Sequence, residues 1–555
     1  MATFRHRTTP GVYITELDAF PRSVAGVQTA VPAFIGYTEK AEVSSKSVSF
    51  TPIKISSFAD YEQIFGVGFH EIYNIEEVPP GDDIDFDFSC LRQTHTSPPE
   101  WVMTYYRYTR VEPVTTQDVT KQDVTKQDVN KQDVVTTNAE LPKFNLYNAL
   151  RLFYANGGGP CYIVSAGTYA DGTIQLASLK TGLDAIREQS GPTMLVVPDA
   201  VLLGTSEDFY DLSKYMLAQC SDLQDRVAIL DVYGTNEIDQ KESEWKLTMD
   251  ECISDFWEGV GDRFLNYGMA YFPFLVTSLV QASEIDYTNF NINDGPQWTL
   301  LQDILDDQAD LLYDQAKAET IETNYIDNIP TTTEPRAVSK LNQNLVNAIP
   351  LLGQMEKILA LKISLMPSSP AMAGVYTYTD GARGVWNAPA NVGLTSVVKP
   401  NVQLNNDQQG ELNVPLNGKA INVIRYFTGR GPVVWGARTL DGNSNDWRYI
   451  QVRRTLIYVE QSIEAALRPF VFAANDGKTW VAVTSMVSNF LQGLWSQGGL
   501  MGAKADEAFT VSCGLGSTMT SLDILEGYMI VQVTLQMIRP AEFIELTFKQ
   551  KMQGL

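Results

Sequence analysis

The chain has 555 residues, 44% hydrophobic and 10% aromatic, enough to bury several cores and too apolar for a disordered protein. Its 41 Lys and Arg stand against 66 Asp and Glu, a net charge of −25 that argues against nucleic acid or an anionic membrane surface as a partner. The longest apolar runs, "MLVVPDAVLL" and "MAYFPFLV", fall short of the ~20 residues of a spanning helix and each contains a proline, so no direct membrane insertion is expected.

The basic start "MATFRHRTTPG" lacks an apolar core segment, and export by the general secretory route is not expected. Five cysteines (Cys90, Cys161, Cys220, Cys252, Cys513) are widely spaced without a CxxC pair, which fits a reducing cytoplasm and predicts neither disulfides nor structural zinc. The negative charge is unevenly placed. From Ala371 onward 15 Lys and Arg face 14 Asp and Glu; subtracted from the totals, this leaves 26 against 52 before it. The acidic part is expected to face water, and the neutral C-terminal third to pack against copies of itself.

In chain order, "TTPGVYITELDAF" reads as an extended arm, because Pro10-Gly11 resists helix and Val12 and Ile14 alternate with Tyr13 and Thr15. "AVPAFIGYT" (30–38) is an apolar strand, and "TPIKISSFADYEQIFG" a short strand followed by a helix capped by Ser57 and ending near Gly66. Residues 67–142 change character: "PPGDDIDFDF" predicts an acidic edge strand with Ile84, Phe86 and Phe88 inward, and "QDVTKQDVTKQDVNKQDV" repeats a five-residue unit that fits neither strand nor helix and predicts an exposed loop.

From Leu141 to Ser278, amphipathic helices alternate with continuous apolar strands: "KFNLYNALRLFYANGG" with "PCYIVSAG", "LASLKTGLDAIREQ" with "TMLVVPDA", and "FYDLSKYMLAQCSDLQ" with "RVAILDVYG". Such units imply a sheet covered on both faces. Two long polar helices are expected around "LLQDILDDQADLLYDQAKAE" and "AVSKLNQNLVNAIPLLGQMEKILALK". The closing stretch "AEFIELTFKQKM" alternates Ile544, Leu546 and Phe548 with Glu545, Thr547 and Lys549. Pro540 sets this strand apart from what precedes it.

Chemistry finds little support. "ANGGGPC" lacks the Lys-Ser/Thr of a phosphate loop and follows a helix, so it reads as a C-terminal cap. In "DDIDFDF" the aspartates Asp83, Asp85 and Asp87 alternate, but Phe88 and Thr94 stand where a calcium loop needs Gly and Glu. Asp303, Asp306, Asp307, Asp310 and Asp314 group on one side of a helix and read as a solvated face. No hydrolase elbow, metalloprotease motif or Cys-His signature occurs, so no catalytic, cofactor or metal residue is assigned.

The informative blocks are "PSSPAMAGVYTYTDGARGVWNAPAN" (367–391), "LNGKAINVIRYFTGRGPVVWGARTL" (416–440), "WRYIQVRRTLIYVEQSIEAAL" (447–467) and "PAEFIELTF" (540–548), with "PGVYITE", "AVPAFIGYT", "ISSFADYEQIFG" and "YFPF" before them in order. Together they resemble the contractile tail sheath family of contractile phages and phage-tail-like injection systems. The resemblance is strong at both ends, moderate in the alternating middle and nearly absent over residues 67–142. It implies a mixed α/β, multi-domain structural protein without cofactor. It also implies polymerisation into a six-start helical sheath around an inner tube protein, with baseplate and terminal cap proteins as further partners.

On that resemblance the expected organisation is an N-terminal arm over 1–25, an outer α/β domain over 26–66 and 141–366, an insertion over 67–140, an inner C-terminal domain over 367–535 and a strand arm over 536–555. Val12, Tyr13, Ile14 and Thr15 and Phe543, Ile544, Glu545, Leu546, Thr547 and Phe548 are the candidate intersubunit residues, since a strand added to a neighbour's sheet holds it while its linker swings. Assembly in the bacterial cytoplasm is expected, followed by service in a phage tail, a released particle or a membrane-anchored apparatus. The alternatives are a baseplate or terminator subunit of the same machine and, more remotely, an α/β enzyme using the 141–278 unit.

Overall fold

The run PAFIGYT, Pro32–Thr38, is buried at every position, so both faces of this strand are covered. The computed structural model describes residues 23–79, 86–94, 100–111, 141–238 and 248–546; residues 1–22 with the "PGVYITE" arm, the five-residue repeat and the chain beyond Leu546 lie outside them. In chain order the strands used below are β1 (Pro32–Thr38), β2 (Ile53–Ile55), β3 (Tyr73–Val78), β4 (Phe88–Gln93), β5 (Trp101–Arg110), β6 (Cys161–Thr168), β7 (Met194–Val196), β8 (Val227–Asp231), β9 (Gly268–Phe272), β10 (Val392–Gly393), β11 (Asn422–Phe427), β12 (Gly431–Val434), β13 (Phe509–Ser512) and β14 (Gln532–Leu535).

The main sheet has nine strands in the order β10-β12-β11-β9-β8-β7-β1-β6-β2. Its centre, from β11 to β6, is parallel, and antiparallel strands close both edges. The predicted alternation is present: helices Leu146–Ala155, Leu176–Arg187 and Ser206–Leu223 precede β6, β7 and β8. Helix Ser369–Arg383 packs on Leu146–Ala155, and Leu176–Arg187 packs on Ser206–Leu223. Residues on both sides of Pro367 therefore share one sheet.

Local signals act as read. Ser57 caps helix Phe58–Phe65 reciprocally with Asp60, and Gly66 ends it. "ANGGG" closes helix Leu146–Ala155, with Gly157 at φ +94° and the Gly158 amide donating to the Phe153 carbonyl. Asp199 and Asp231, fully buried at the ends of β7 and β8, accept backbone amides from Tyr37 and Asn145, and from Ser369, respectively. Burial pushes both carboxyls up to about 6.

A second core joins distant segments. The antiparallel sheet β3-β5-β4 packs its Tyr73, Phe88, Tyr106 and Tyr108 with Leu305, Leu345, Met355 and Leu359. Phe88 faces inward as expected, but Phe86 is exposed, because β4 begins only at Phe88; Ile84 lies outside the described residues. The two long polar helices are four: Gly295–Leu312, Gln315–Asn324, Pro335–Ala348 and Pro350–Ile363. Asp314 starts the second by accepting the Lys317 amide, and Pro350 can only open a new helix. The aspartate row is not simply solvated either, since Asp307 pairs with Arg92 and one Asp306 oxygen is buried without a partner.

Two compact units emerge. One holds Gln28–Ile457 together with the chain from Pro540; the other holds the described residues up to Val27 with Tyr458–Arg539. The second unit is built on helix Gly477–Ser496, which buries Val483, Met486, Val487 and Leu491 beside the hairpin-like pair β13 and β14. It leaves Phe472, Val481 and Leu525 largely in solvent.

Glu356 tests the second core. Its side chain is buried with one oxygen unpartnered, and burial pushes its carboxyl from 4.5 up to about 7, with Asn342 opposing and Asp286 reinforcing the shift. The folded chain therefore keeps a proton that the unfolded chain releases near 4.5, so this group's contribution to stability falls as pH rises from about 4.5 to about 7. Glu356→Gln mimics the protonated form: it is expected to be neutral at pH 5 and to stabilise by about 1–3 kcal/mol at pH 8, read from urea unfolding at both pH values.

Candidate intersubunit site

β11 begins with Asn422, a polar residue wholly buried in a parallel sheet, and its amide organises the chain around it. Asn422 Nδ2 donates to the carbonyls of Ala270 at 3.1 Å and Arg438 at 2.7 Å, while its Oδ1 accepts the Arg438 amide at 2.7 Å. Gly436 makes this possible, since a Cβ there would lie 2.8 Å from Asn422 Oδ1. The Arg438 backbone is thus sewn to β9 and β11.

Its guanidinium, only 4% exposed, points at the carboxylate of Glu542. Arg438 donates from Nε to one oxygen at 3.0 Å and from Nη2 to the other at 2.6 Å. Asn413 Nδ2 adds a bond of 2.8 Å and the Tyr449 hydroxyl one of 3.2 Å, so each oxygen accepts two donors. Burial alone would raise the Glu542 carboxyl, but Arg438, Asn413 and Tyr449 outweigh it and hold the group below the usual carboxylate range. Burial and the facing carboxylate together push the Tyr449 phenol up.

Directly after this cradle the chain leaves the fold. Phe543, Ile544 and Leu546 are 76%, 80% and 74% exposed, Glu545 is exposed too, and 541–546 pair with no strand among the described residues. Of the candidate residues these four are described; Val12, Tyr13, Ile14, Thr15, Thr547 and Phe548 lie outside the described residues. The sequence reading missed Glu542, Arg438, Asn413 and Tyr449. Their one available signal is a glutamate set directly after Pro540-Ala541, at the start of the apolar alternation.

The near end of the N-terminal segment is also anchored. In the smaller unit the Val27 amide donates to Ser462 Oγ at 3.1 Å, and Gly26 lies against Tyr458 so closely that a Cβ would meet its hydroxyl at 2.2 Å. In the larger unit the Thr29 carbonyl accepts from Arg454 and Thr193, and Arg454 pairs through both terminal nitrogens with Asp380 at 2.9 and 2.7 Å. Among the described residues no three His, Cys, Asp or Glu are placed to hold a metal, and no helix is long and apolar enough to cross a membrane.

The family described as "Phage tail sheath C-terminal domain" matches residues 443–551, a span that includes Tyr449 and the Glu542 root. A prophage major tail sheath protein of Pseudomonas aeruginosa is 30% identical over 141 residues, 24% of this chain and 35% of that protein. The tail sheath protein of Burkholderia phage BcepMu is 30% identical over 146 residues, 25% of this chain and 30% of its own. The matches thus span about a third of these curated relatives. Solved structures match throughout: the anti-feeding prophage helical sheath in its contracted state is 26% identical with TM-score 0.55, over 98% of this chain and 100% of that one.

Residues 443–551 therefore match a phage tail sheath C-terminal domain, and the chain as a whole is similar to solved contractile sheath subunits.

A second sheath agrees with this placement. The PVC sheath of an extracellular contractile injection system, also contracted, is 25% identical with TM-score 0.55 and covers 99% of both chains. The mixed α/β fold is therefore like that of solved sheath subunits, and the Arg438 cradle lies at the point where the chain turns into the exposed C-terminal stretch.

Replacing Asn422 by Leu strands two carbonyls and one amide in the interior. Asn422→Leu is expected to cost about 3 kcal/mol in urea unfolding, while Asn401→Leu, at a residue that bonds the Thr235 carbonyl, is expected to cost about 1 kcal/mol.

Proposed function

We propose that this chain is the structural subunit of a contractile sheath, which polymerises helically around an inner tube and contracts to drive the tube through a target envelope. The observation that carries this reading is the end-to-end likeness to a contracted helical sheath, joined to an exposed apolar alternation at Phe543–Leu546 rooted in the fold by Glu542. A strand supplied to a neighbour and accepted from another is a heterologous contact, which propagates into a helix instead of closing a dimer.

The work is conformational and needs no catalytic residue or cofactor. If contraction buries an extra ~400 Å² of apolar surface per subunit, it releases about 10 kcal/mol before costs. The smaller unit, with Phe472 and Leu525 in solvent, offers such surface. The neutral C-terminal part forms the inner wall and mesh, the acidic remainder faces water, and an inner tube protein, baseplate and terminal cap complete the machine. The sheath assembles in the bacterial cytoplasm and acts within a phage tail, a released particle or a membrane-anchored apparatus.

Likeness to a chain of the anti-feeding prophage baseplate, at 26% identity and TM-score 0.54, keeps a baseplate subunit as the second reading. Negative-stain microscopy of the chain mixed with its inner tube protein separates the two, because a sheath forms long tubes and a baseplate subunit small closed rings. Deleting Phe543–Leu555 is expected to leave a monomer with an unchanged unfolding midpoint that forms no tubes in the same assay. A truncated chain that still polymerised would refute the arm.

A further inference from the structure

Glu542 is the hinge between an exposed arm and a folded body, and its place in the two units is unusual. The chain reaches it from Arg539, in the smaller unit, yet Pro540 onward belongs with Gln28–Ile457. The Tyr458–Arg539 part of the smaller unit is thus inserted between Ile457 and Pro540, and the chain rejoins the larger unit two residues before Glu542.

What receives Glu542 is rigid at every link. Arg438 grips the carboxylate in a two-nitrogen fork, a geometry that fixes direction as well as distance. The guanidinium lies 6.0 Å over the Tyr449 ring and its Nη1 meets the Gly442 carbonyl. Behind it, Asn422 ties the Arg438 backbone to Ala270 of β9. By contrast, Phe543, Ile544, Glu545 and Leu546 are all exposed.

The geometry points to Arg438 as a positioning residue for the C-terminal arm: it fixes the arm's root, so that tension from a neighbouring subunit passes through Glu542, Arg438 and Asn422 into the parallel sheet and bypasses Tyr458–Arg539. This rests on the sheath reading. Arg438 is enclosed by its own chain, 4% exposed; it acts by aiming the arm and by holding its near end while the array shortens. A strand whose root is free still has the same hydrogen bonds to offer, but it loses direction and effective concentration at the neighbour's sheet.

The test uses the full chain with its inner tube protein. Glu542→Ala removes the grip at the arm's root without touching the arm's own residues, and Glu42→Ala, at an exposed position outside both the cradle and the arm, is the control. Glu542→Ala leaves the buried Arg438 without its counter-ion, so it is expected to lower the monomer's thermal midpoint by about 3–8 °C while leaving it folded at room temperature, and to shorten the median tube length at least about ten-fold, with Glu42→Ala at wild-type length. Arg438→Lys keeps the charge but not the fork and is expected to shorten tubes likewise.

Tubes of wild-type length from Glu542→Ala, with none from the chain lacking Phe543–Leu555, would overturn the anchor and leave the sheath reading standing. Tubes from the truncated chain would overturn both. A Glu542→Ala monomer that is strongly destabilised, yet forms full-length tubes where it remains folded, would reduce the cradle to a stability role.

Discussion

A parallel sheet cannot leave either face in water, and that constraint organises the larger unit. β1, β8 and β9 are buried at every position, so helices must lie on both sides, and the chain must alternate between the two residue patterns to supply them. The sheet's remaining polar inclusions, Asp199, Asp231 and Asn422, are each satisfied by backbone groups and fix how loops leave the strand ends.

The cradle at Arg438 extends this logic outward. A single amide side chain couples two strands to one arginine, and the arginine couples them to a carboxylate 104 residues later. Nothing in the cradle is arranged for chemistry: four donors converge on one carboxylate and leave no open coordination for a substrate. What the arrangement does supply is a fixed point beside a segment that pairs with no strand among the described residues. In the sheath proposed above, where subunits would rotate past one another, such a fixed point would hold the near end of an exchanged strand.

Much of this was legible from the residues. The helix and strand periods between Leu141 and Ser278, the Ser57 cap and the Gly157 turn are local codes, and local codes read directly. The two expected long helices became four because Pro350 and the Asp314 cap outweighed a continuous amphipathic pattern, and Phe86 faced outward because its strand starts two residues later than the alternation suggests. The second core, which joins residues near 75 to residues near 355, and the pairing of Arg438 with Glu542 carry no local signature. A charged residue shows its sign in a sequence but not its counter-ion.

Placing the arm root last in the chain has a consequence for timing. During synthesis Arg438 emerges 104 residues ahead of Glu542. At ~5–20 residues per second this is an interval of roughly 5–20 s in which the smaller unit is completed while the cradle stands empty. On the proposed sheath reading, a nascent subunit has no aimed arm until its body exists, and premature linkage between half-made chains is discouraged by order of appearance alone.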